Sequence, residues 1–191
     1  STGGLGSERI QSRTSPLQVP MNTATFWKII ADSLEEAEGD VEEQMEFLGE
    51  KLEELEPDQI VAFDRIFLEF WIKAFHWDLW AAAFIFGRGC SDEEFMDFLG
   101  WLICRGQRVY EQALKSPDTL VGIVHEDDAE DVLTEGFQDI AAQAWVYRTG
   151  KPVEDFPTHN LELPTTPAGI PWKEDSEELK QRCPKLFRKY W

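Results

Sequence analysis

Apolar residues recur three and four positions apart along almost the whole chain between residues 25 and 148. This is the spacing of one face of an α-helix. The sequence contains no run in which β-branched residues alternate with polar ones, as a half-buried strand requires. We therefore predict an all-α fold, a compact single-domain bundle of about six to seven helices with an irregular Pro-rich C-terminal segment.

Residues that begin and end helices predict where the first three lie. The first helix is expected from Thr25, with Thr23 or Thr25 itself as the N-cap and Gly39 as the stop. Asp40 caps a second helix, which carries a narrow apolar stripe on an otherwise acidic surface. Pro57 stands in the first turn of a third helix, which is apolar on most faces and should be central.

The middle of the chain predicts two further helices. Residues 77–86 form a run of about ten that is apolar apart from Asp78. This is half of the roughly 20 residues that cross a bilayer, so the run indicates a buried helix. Ser91 and Glu94 have the spacing of a capping box, which starts a helix expected to end near Ser116.

The remaining helices are predicted from periodicity and from glycine and proline. Gly100 and Gly106 indicate points where another helix packs closely on the helix that follows Ser91. Residues 127–148 are expected to form one helix that ends at Gly150. Residues 176–182 predict a last short helix.

The composition divides the chain into three parts. Residues 1–20 are rich in glycine, serine and proline and predict a flexible leader, while Met21 has the character of a natural start, so we expect the leader not to be native. Residues 21–150 are expected to form the helical domain. Residues 151–191 are expected to be an extended Pro-rich segment whose short terminal helix packs on that domain.

Charge and cysteine content exclude several classes of function. The chain has 37 acidic and 18 basic side chains, a formal charge of −19. Such a surface repels phosphate backbones and anionic lipid, so we expect binding neither to nucleic acid nor to a membrane. The three cysteines are widely spaced and odd in number, which favours a reducing compartment, the cytoplasm.

A series of short sequence blocks in the centre of the chain is unusual in composition. The blocks are His76-Trp77-Asp78-Leu79-Trp80, Gly89-Cys90-Ser91-Asp92, Trp101-Leu102-Ile103 and Pro117-Asp118-Thr119-Leu120. In this order they resemble the bacterial domain of unknown function 4240 family, over about residues 21–145. The family is uncharacterised, so the resemblance implies no activity, cofactor or catalytic residue.

Several side chains able to carry chemistry flank the short helix of residues 77–86 or lie on the next helix. As a candidate pocket we take His76, Trp77, Asp78, Trp80, Cys90, Asp92, Glu93, Arg105 and Arg108. A helix of ten residues is about 15 Å long, so His76 and Cys90 at its two ends cannot touch through it. The alternative is that these acids and Ser91 only cap helices, and that Arg105 and Arg108 pair with acids such as Asp78 or Asp97. No spacing matches a known ligand motif, so we assign no metal, cofactor or catalytic residue.

The acidic side chains are concentrated in two segments. Residues 32–56 hold twelve carboxylates against the single Lys51, and residues 126–139 hold seven with no Lys or Arg. Two interpretations are open: solvated faces that give solubility, or a docking face for a basic protein.

We therefore carry two hypotheses of function. The first is a binding module, of the immunity or regulatory kind, that engages a basic protein partner and is a monomer or a weak homo-oligomer. The alternative is an enzyme with a Trp-lined site around His76, Asp78, Cys90, Asp92 and Arg105. The chain also has a mildly basic end, because its last twenty residues hold six basic and four acidic side chains.

Overall fold

The computed structural model describes residues 20–191, and the regular secondary structure of that part of the chain is helical. This confirms the all-α class. The predicted leader lies outside the described residues except for Pro20. The α-helices of the described part are α1 (Thr23–Glu36), α2 (Val41–Glu53), α3 (Pro57–Ala74), α4 (Trp77–Gly87), α5 (Asp92–Cys104), α6 (Gln107–Lys115), α7 (Ile140–Thr149), α8 (Ser176–Arg182) and α9 (Pro184–Tyr190).

Four short 3₁₀ helices complete the described elements. They are η1 (Pro117–Gly122), η2 (Glu126–Leu133), η3 (Phe137–Asp139) and η4 (Val153–Asp155). The described part thus has nine α-helices where the sequence predicts about six to seven.

Side-chain caps define the starts of several helices, among them α1, α2 and α5. The N-cap of α1 is Asn22, whose Oδ1 accepts the backbone N–H of Thr25 at 2.9 Å, so the prediction of Thr23 or Thr25 is wrong. The predicted cap of α2 is confirmed, because Asp40 Oδ1 accepts the backbone N–H of Glu43. The capping box of α5 is confirmed as well, with both reciprocal bonds between Ser91 and Glu94 formed.

The long helix expected to follow Ser91 is two helices. It breaks between α5 and α6 at Gly106, the N-cap of α6. The prediction of close packing is confirmed at Gly100, where a Cβ would lie 3.2 Å from the Cβ of Phe137. It is wrong at Gly106, where no atom of the described residues lies within 4 Å of such a Cβ.

The prediction of one continuous helix over residues 127–148 is wrong. The chain forms η2 and η3 first and becomes α-helical only at α7. Gly136 interrupts it with a φ of +116°, a conformation that L side chains avoid. Like charges four residues apart also destabilise an α-helix, and η2 is crowded with acids.

The core centres on α4, which is buried on most of its faces. Leu79, the three alanines at 81–83 and Ile85 are at most 1% exposed. α5, α8, α9, η1 and η2 all pack on this helix. None of the described helices is long and apolar enough to cross a membrane.

The C-terminal segment returns to pack on α4 and η1. The predicted helix at residues 176–182 is confirmed as α8. The sequence analysis missed α9, whose first turn is capped by Asp118 through the backbone N–H groups of Lys185 and Leu186. The Tyr190 hydroxyl donates to the carbonyl of Val124 at 2.9 Å, which fastens the end of the chain to the loop after η1.

Candidate functional site

The first predicted site residues lie where α4 begins, and the C-terminal segment closes over them. His76 is the N-cap of α4, and its Nδ1 accepts the backbone N–H of Asp78 at 3.1 Å. Its ring packs so closely on Gly169 that a Cβ there would lie 2.6 Å from Nε2. The backbone N–H of Trp77 donates to the carbonyl of Ala168 at 2.9 Å. His76 is therefore held between α4 and the C-terminal segment.

Asp78 already has a cationic partner in the molecule. Its Oδ1 accepts from Arg182 Nη1 at 2.8 Å, and Nη2 of the same arginine donates to the carbonyl of Pro171 at 3.1 Å. A cleft of about 230 Å³ opens beside this pair, lined by Lys73, His76, Asp78, Leu79, Leu114 and Pro117. The pair fastens α8 to the start of α4.

Trp77 and Trp80 use most of their ring surface for packing. The two indoles stack with centroids 5.2 Å apart, and Trp80 also stacks on Phe95 at 5.0 Å. The Trp80 Nε1–H donates to the carbonyl of Cys90 at 3.0 Å. These contacts hold the α4–α5 connection against the core.

Cys90, Asp92 and Glu93 lie at the other end of α4. Burial, with a smaller contribution from Glu94, raises the pKa of the Cys90 thiol to about 12. The thiol therefore stays protonated at neutral pH, and the protonated form is a poor nucleophile. Asp92 and Glu93 are exposed in the first turn of α5, where carboxylates complement the helix dipole.

Arg105 lies in a third environment. Its Nη2 donates to the side-chain carbonyl of Gln44, and its guanidinium lies 5.3 Å from the centre of the Trp101 ring. Burial lowers the pKa of Arg105. The predicted pairing with Asp78 or Asp97 is wrong, since Arg182 takes Asp78 and the amide of Gln138 takes Asp97.

The predicted site residues thus fall into three separate sets of contacts. Among the described residues no hydrogen bond or ion pair joins His76 to Cys90 or to Arg105. Arg108 is exposed on α6. No group of three or more His, Cys, Asp or Glu in the described part is placed to hold a metal ion.

A larger concave surface lies between α2 and α7. This α2–α7 groove has a volume of about 500 Å³. It is lined by Met45, Glu46, Gly49, Glu50, Glu53, Gly136, Ile140, Gln143 and Ala144. Its floor is apolar and its α2 rim carries three glutamates at intervals of four and three, which places them along one face of that helix.

The three rim glutamates have no cation within ion-pair distance in the described part of the chain. Lys51 pairs with Glu36 at 2.9 Å, on the side of α2 that faces α1, and Arg148 pairs with Glu56 at 3.4 Å. The carboxylates of the α2–α7 groove are therefore available to a partner.

The two acidic segments lie beside each other in the fold. The pKa of Asp131 on η2 is raised by burial and then by its neighbours Asp128, Asp40 and Glu42, while Arg105 opposes the shift. Asp40 and Glu42 belong to the start of α2, so acids of the two segments lie close together where η2 meets α2. We call this surface the acidic face.

This crowding predicts how stability depends on pH. Burial raises the pKa of Asp64, Asp97 and Asp131 in the folded state. Because these groups bind protons more tightly when folded, their contribution to stability is full below the unfolded pKa and is lost as pH rises through the folded pKa. We expect the thermal midpoint, followed by circular dichroism, to rise as the pH is lowered from 7 towards the ordinary Asp pKa of about 4, and to rise less in Asp131→Asn. An Asp131→Asn variant with the same pH dependence as the parent would contradict this.

The structure also contains a cleft that the sequence analysis missed. This α3 cleft has a volume of about 250 Å³ and is lined by Asp64, Phe67, Leu68, Trp71, Met96 and Gln138. Asp64 Oδ2 lies 2.7 Å from Nε2 of His159, whose side chain is 7% exposed. The spacing of Asp64 with Phe67 and Trp71 places them on one helix face, but no local pattern signals His159, which lies 95 residues away.

The fold and the α2–α7 groove define the class of the protein, an all-α domain with an acidic groove. A family model described as "Protein of unknown function (DUF4240)" matches residues 21–147, about two thirds of the chain. The chain belongs to this family, which confirms the resemblance expected from the sequence. No curated protein and no solved structure matches the chain. The α2–α7 groove and the lining of the α3 cleft lie within the matched residues, whereas His159 and Arg182 lie outside them.

Proposed function

We propose that this protein acts by binding a basic protein partner in the α2–α7 groove. The observation that carries the proposal is the combination of an apolar floor with three rim glutamates that have no cation among the described residues. Neither feature alone indicates binding, because acidic helix faces are common on soluble domains and small clefts are common on protein surfaces. Together they match a segment that carries both positive charge and apolar side chains.

The charge of the acidic face favours such a partner at a distance. A net charge of −19 attracts cations over roughly a Debye length, about 8 Å at physiological salt, and raises the association rate. The same charge repels nucleic acid and acidic proteins, which contributes to specificity.

The groove floor supplies the contacts that charge does not. Met45 is partly buried and Ile140 is buried. Gly49 leaves room above Ile140, because a Cβ at position 49 would lie 3.8 Å from the Ile140 Cγ2. A partner leucine or methionine seated there removes apolar surface from water, which stabilises a complex by about 1.5–3 kcal/mol for a fully buried side chain. An amphipathic helix with lysine or arginine along its edges satisfies both requirements.

The enzyme hypothesis gains no specific support. Cys90 is protonated at neutral pH, and Asp78 is occupied by Arg182.

Two labelled peptides test the proposal. One is a lysine–leucine peptide patterned as an amphipathic helix, and the other is an oligolysine of equal charge. We expect fluorescence anisotropy to show saturable binding of one amphipathic peptide per protein molecule. At physiological salt its affinity should be about tenfold higher than that of oligolysine, because burying one apolar side chain in the groove contributes about 1.4 kcal/mol or more.

Each contrary outcome has a definite meaning. If neither peptide binds saturably even at low salt, the protein does not dock basic segments and the proposal fails. If both bind with equal affinity, charge alone operates and the groove is not the site. Sedimentation of the free protein shows whether the mildly basic α9 of a second copy occupies the groove instead.

A further inference from the structure

The α3 cleft combines a carboxylate with apolar and aromatic walls. Asp64 lies at one side, and Phe67, Leu68 and Trp71 follow it along the same face of α3. Met96 on α5 and Gln138 on η3 close the opposite side. Three elements thus meet around one concave space, which is separate from the α2–α7 groove.

The walls are held in place by packing outside the cleft. Phe75 stacks on Trp71 with centroids 5.0 Å apart and an angle of 16°. Gln138 Nε2 donates to Asp97 Oδ1 at 2.8 Å, while its Oε1 is buried against Gly100 and accepts no hydrogen bond from the described residues. The cleft is therefore largely preformed.

The charge around the cleft is negative. No lysine or arginine lines it, and neither Asp64 nor Asp97 forms an ion pair with a Lys or Arg of the described part. The partner of Asp64 is His159, whose Nε2 lies 2.7 Å from Oδ2, while Oδ1 forms no hydrogen bond or ion pair with the described residues. Asp139 adds to the negative field at Asp64.

The α3 cleft should discriminate between cations by the number of hydrogen-bond acceptors that each cation needs. A primary ammonium carries three N–H donors, and the cleft offers few acceptors besides Asp64. A quaternary ammonium, with four alkyl groups on nitrogen, has no N–H donor and makes no such demand. Such a cation presents apolar surface to the aromatic rings and to Met96, which is 40% exposed. Its charge faces the Asp64 carboxylate.

We propose that the α3 cleft binds a small quaternary ammonium ion, with Asp64 as the counter-ion and Phe67 and Trp71 as aromatic walls. Its volume of about 250 Å³ lies below the range of about 300–1,000 Å³ typical of drug-sized ligands, so it fits a small metabolite or the end of a modified side chain.

The test compares choline with 3,3-dimethyl-1-butanol, its uncharged carbon isostere. We expect choline to shift the NMR signals of the Trp71 indole N–H and the Gln138 side-chain amide saturably, and the isostere to bind at least tenfold more weakly. Asp64→Asn, which still accepts the His159 hydrogen bond, should weaken choline binding at least tenfold. Asp58→Asn, an exposed carboxylate of the same helix, should leave it unchanged.

Trp71→Leu keeps an apolar wall and tests the ring directly. It should lower choline affinity more than isostere affinity. Equal binding of choline and its isostere, shifts that map away from the α3 cleft, or an Asp64→Asn variant with unchanged affinity would each overturn the proposal. Binding of methylammonium, a primary ammonium, as tightly as choline would overturn the preference for a quaternary nitrogen.

Discussion

Replacing Trp172 by alanine should lower the free energy of unfolding by about 3–5 kcal/mol, the usual cost of truncating a buried tryptophan. In a chain of this length that corresponds to a fall in the thermal midpoint of about 10 °C. The effect is large because Trp172 is buried and joins the C-terminal segment to α4 through three aromatic contacts. Its ring meets Trp77, Trp80 and Phe84 edge-on with centroids 5.1–6.2 Å apart.

A hydrogen bond adds to this packing and can be separated from it. Trp172 Nε1 donates to the carbonyl of Trp77 at 2.8 Å. Trp172→Phe removes this bond and keeps most of the ring, so it should cost about 1–2 kcal/mol in urea or thermal unfolding. A loss below about 1 kcal/mol for Trp172→Ala would show that the C-terminal segment does not contribute to the stability of the domain.

The second large effect concerns the rim of the α2–α7 groove. The triple variant Glu46→Gln, Glu50→Gln, Glu53→Gln should lower affinity for the amphipathic peptide about 30-fold, because exposed charge pairs contribute about 0.2–1 kcal/mol each and three are removed. The affinity should also become less sensitive to salt. The fold should be retained, since Glu46 and Glu50 are exposed, Glu53 is only half-buried, and the change relieves repulsion.

A matched variant controls for net charge. Glu154→Gln, Asp155→Asn, Glu162→Gln changes the formal charge by the same amount, at exposed positions of the C-terminal segment. It should alter affinity less than threefold, an effect of long-range charge only. Equal losses in the two triple variants would show that binding depends on overall charge and not on the groove.

The helices with clear boundaries were predictable from local sequence. Asp40 before α2, Ser91 with Glu94 at α5, and the short helix at residues 176–182 all lie where their capping residues and apolar spacing indicate. Such signals act within one or two turns, so they do not depend on the rest of the fold.

The breaks within the predicted helices depend on tertiary contacts, and the sequence analysis missed them. Residues 127–148 have helical periodicity, but Gly136 turns the chain with positive φ where it crosses Met45, close enough that a Cβ would lie 2.8 Å from its Cε. The capping function of Asp118 for α9 joins residues more than sixty positions apart, and no local pattern contains it.

The sequence indicates which residues belong to the candidate sites, but it does not show which residues contact one another. The sequence shows that acids concentrate in two segments, and the fold brings Asp131 beside Asp40 and Glu42. It also indicates His76 and Asp78 as chemically interesting, but their partners Gly169 and Arg182 come from the C-terminal segment. Partners so distant in sequence cannot be inferred from spacing.

Paramagnetic relaxation from a spin-labelled amphipathic peptide tests the central claim most directly. If the α2–α7 groove is the docking site, the label should broaden the amide signals of Met45, Gly49, Ile140 and Ala144 before any others, and the Glu46, Glu50, Glu53 triple variant should abolish the broadening. Broadening centred on another surface, or spread evenly over the acidic face, would contradict the account.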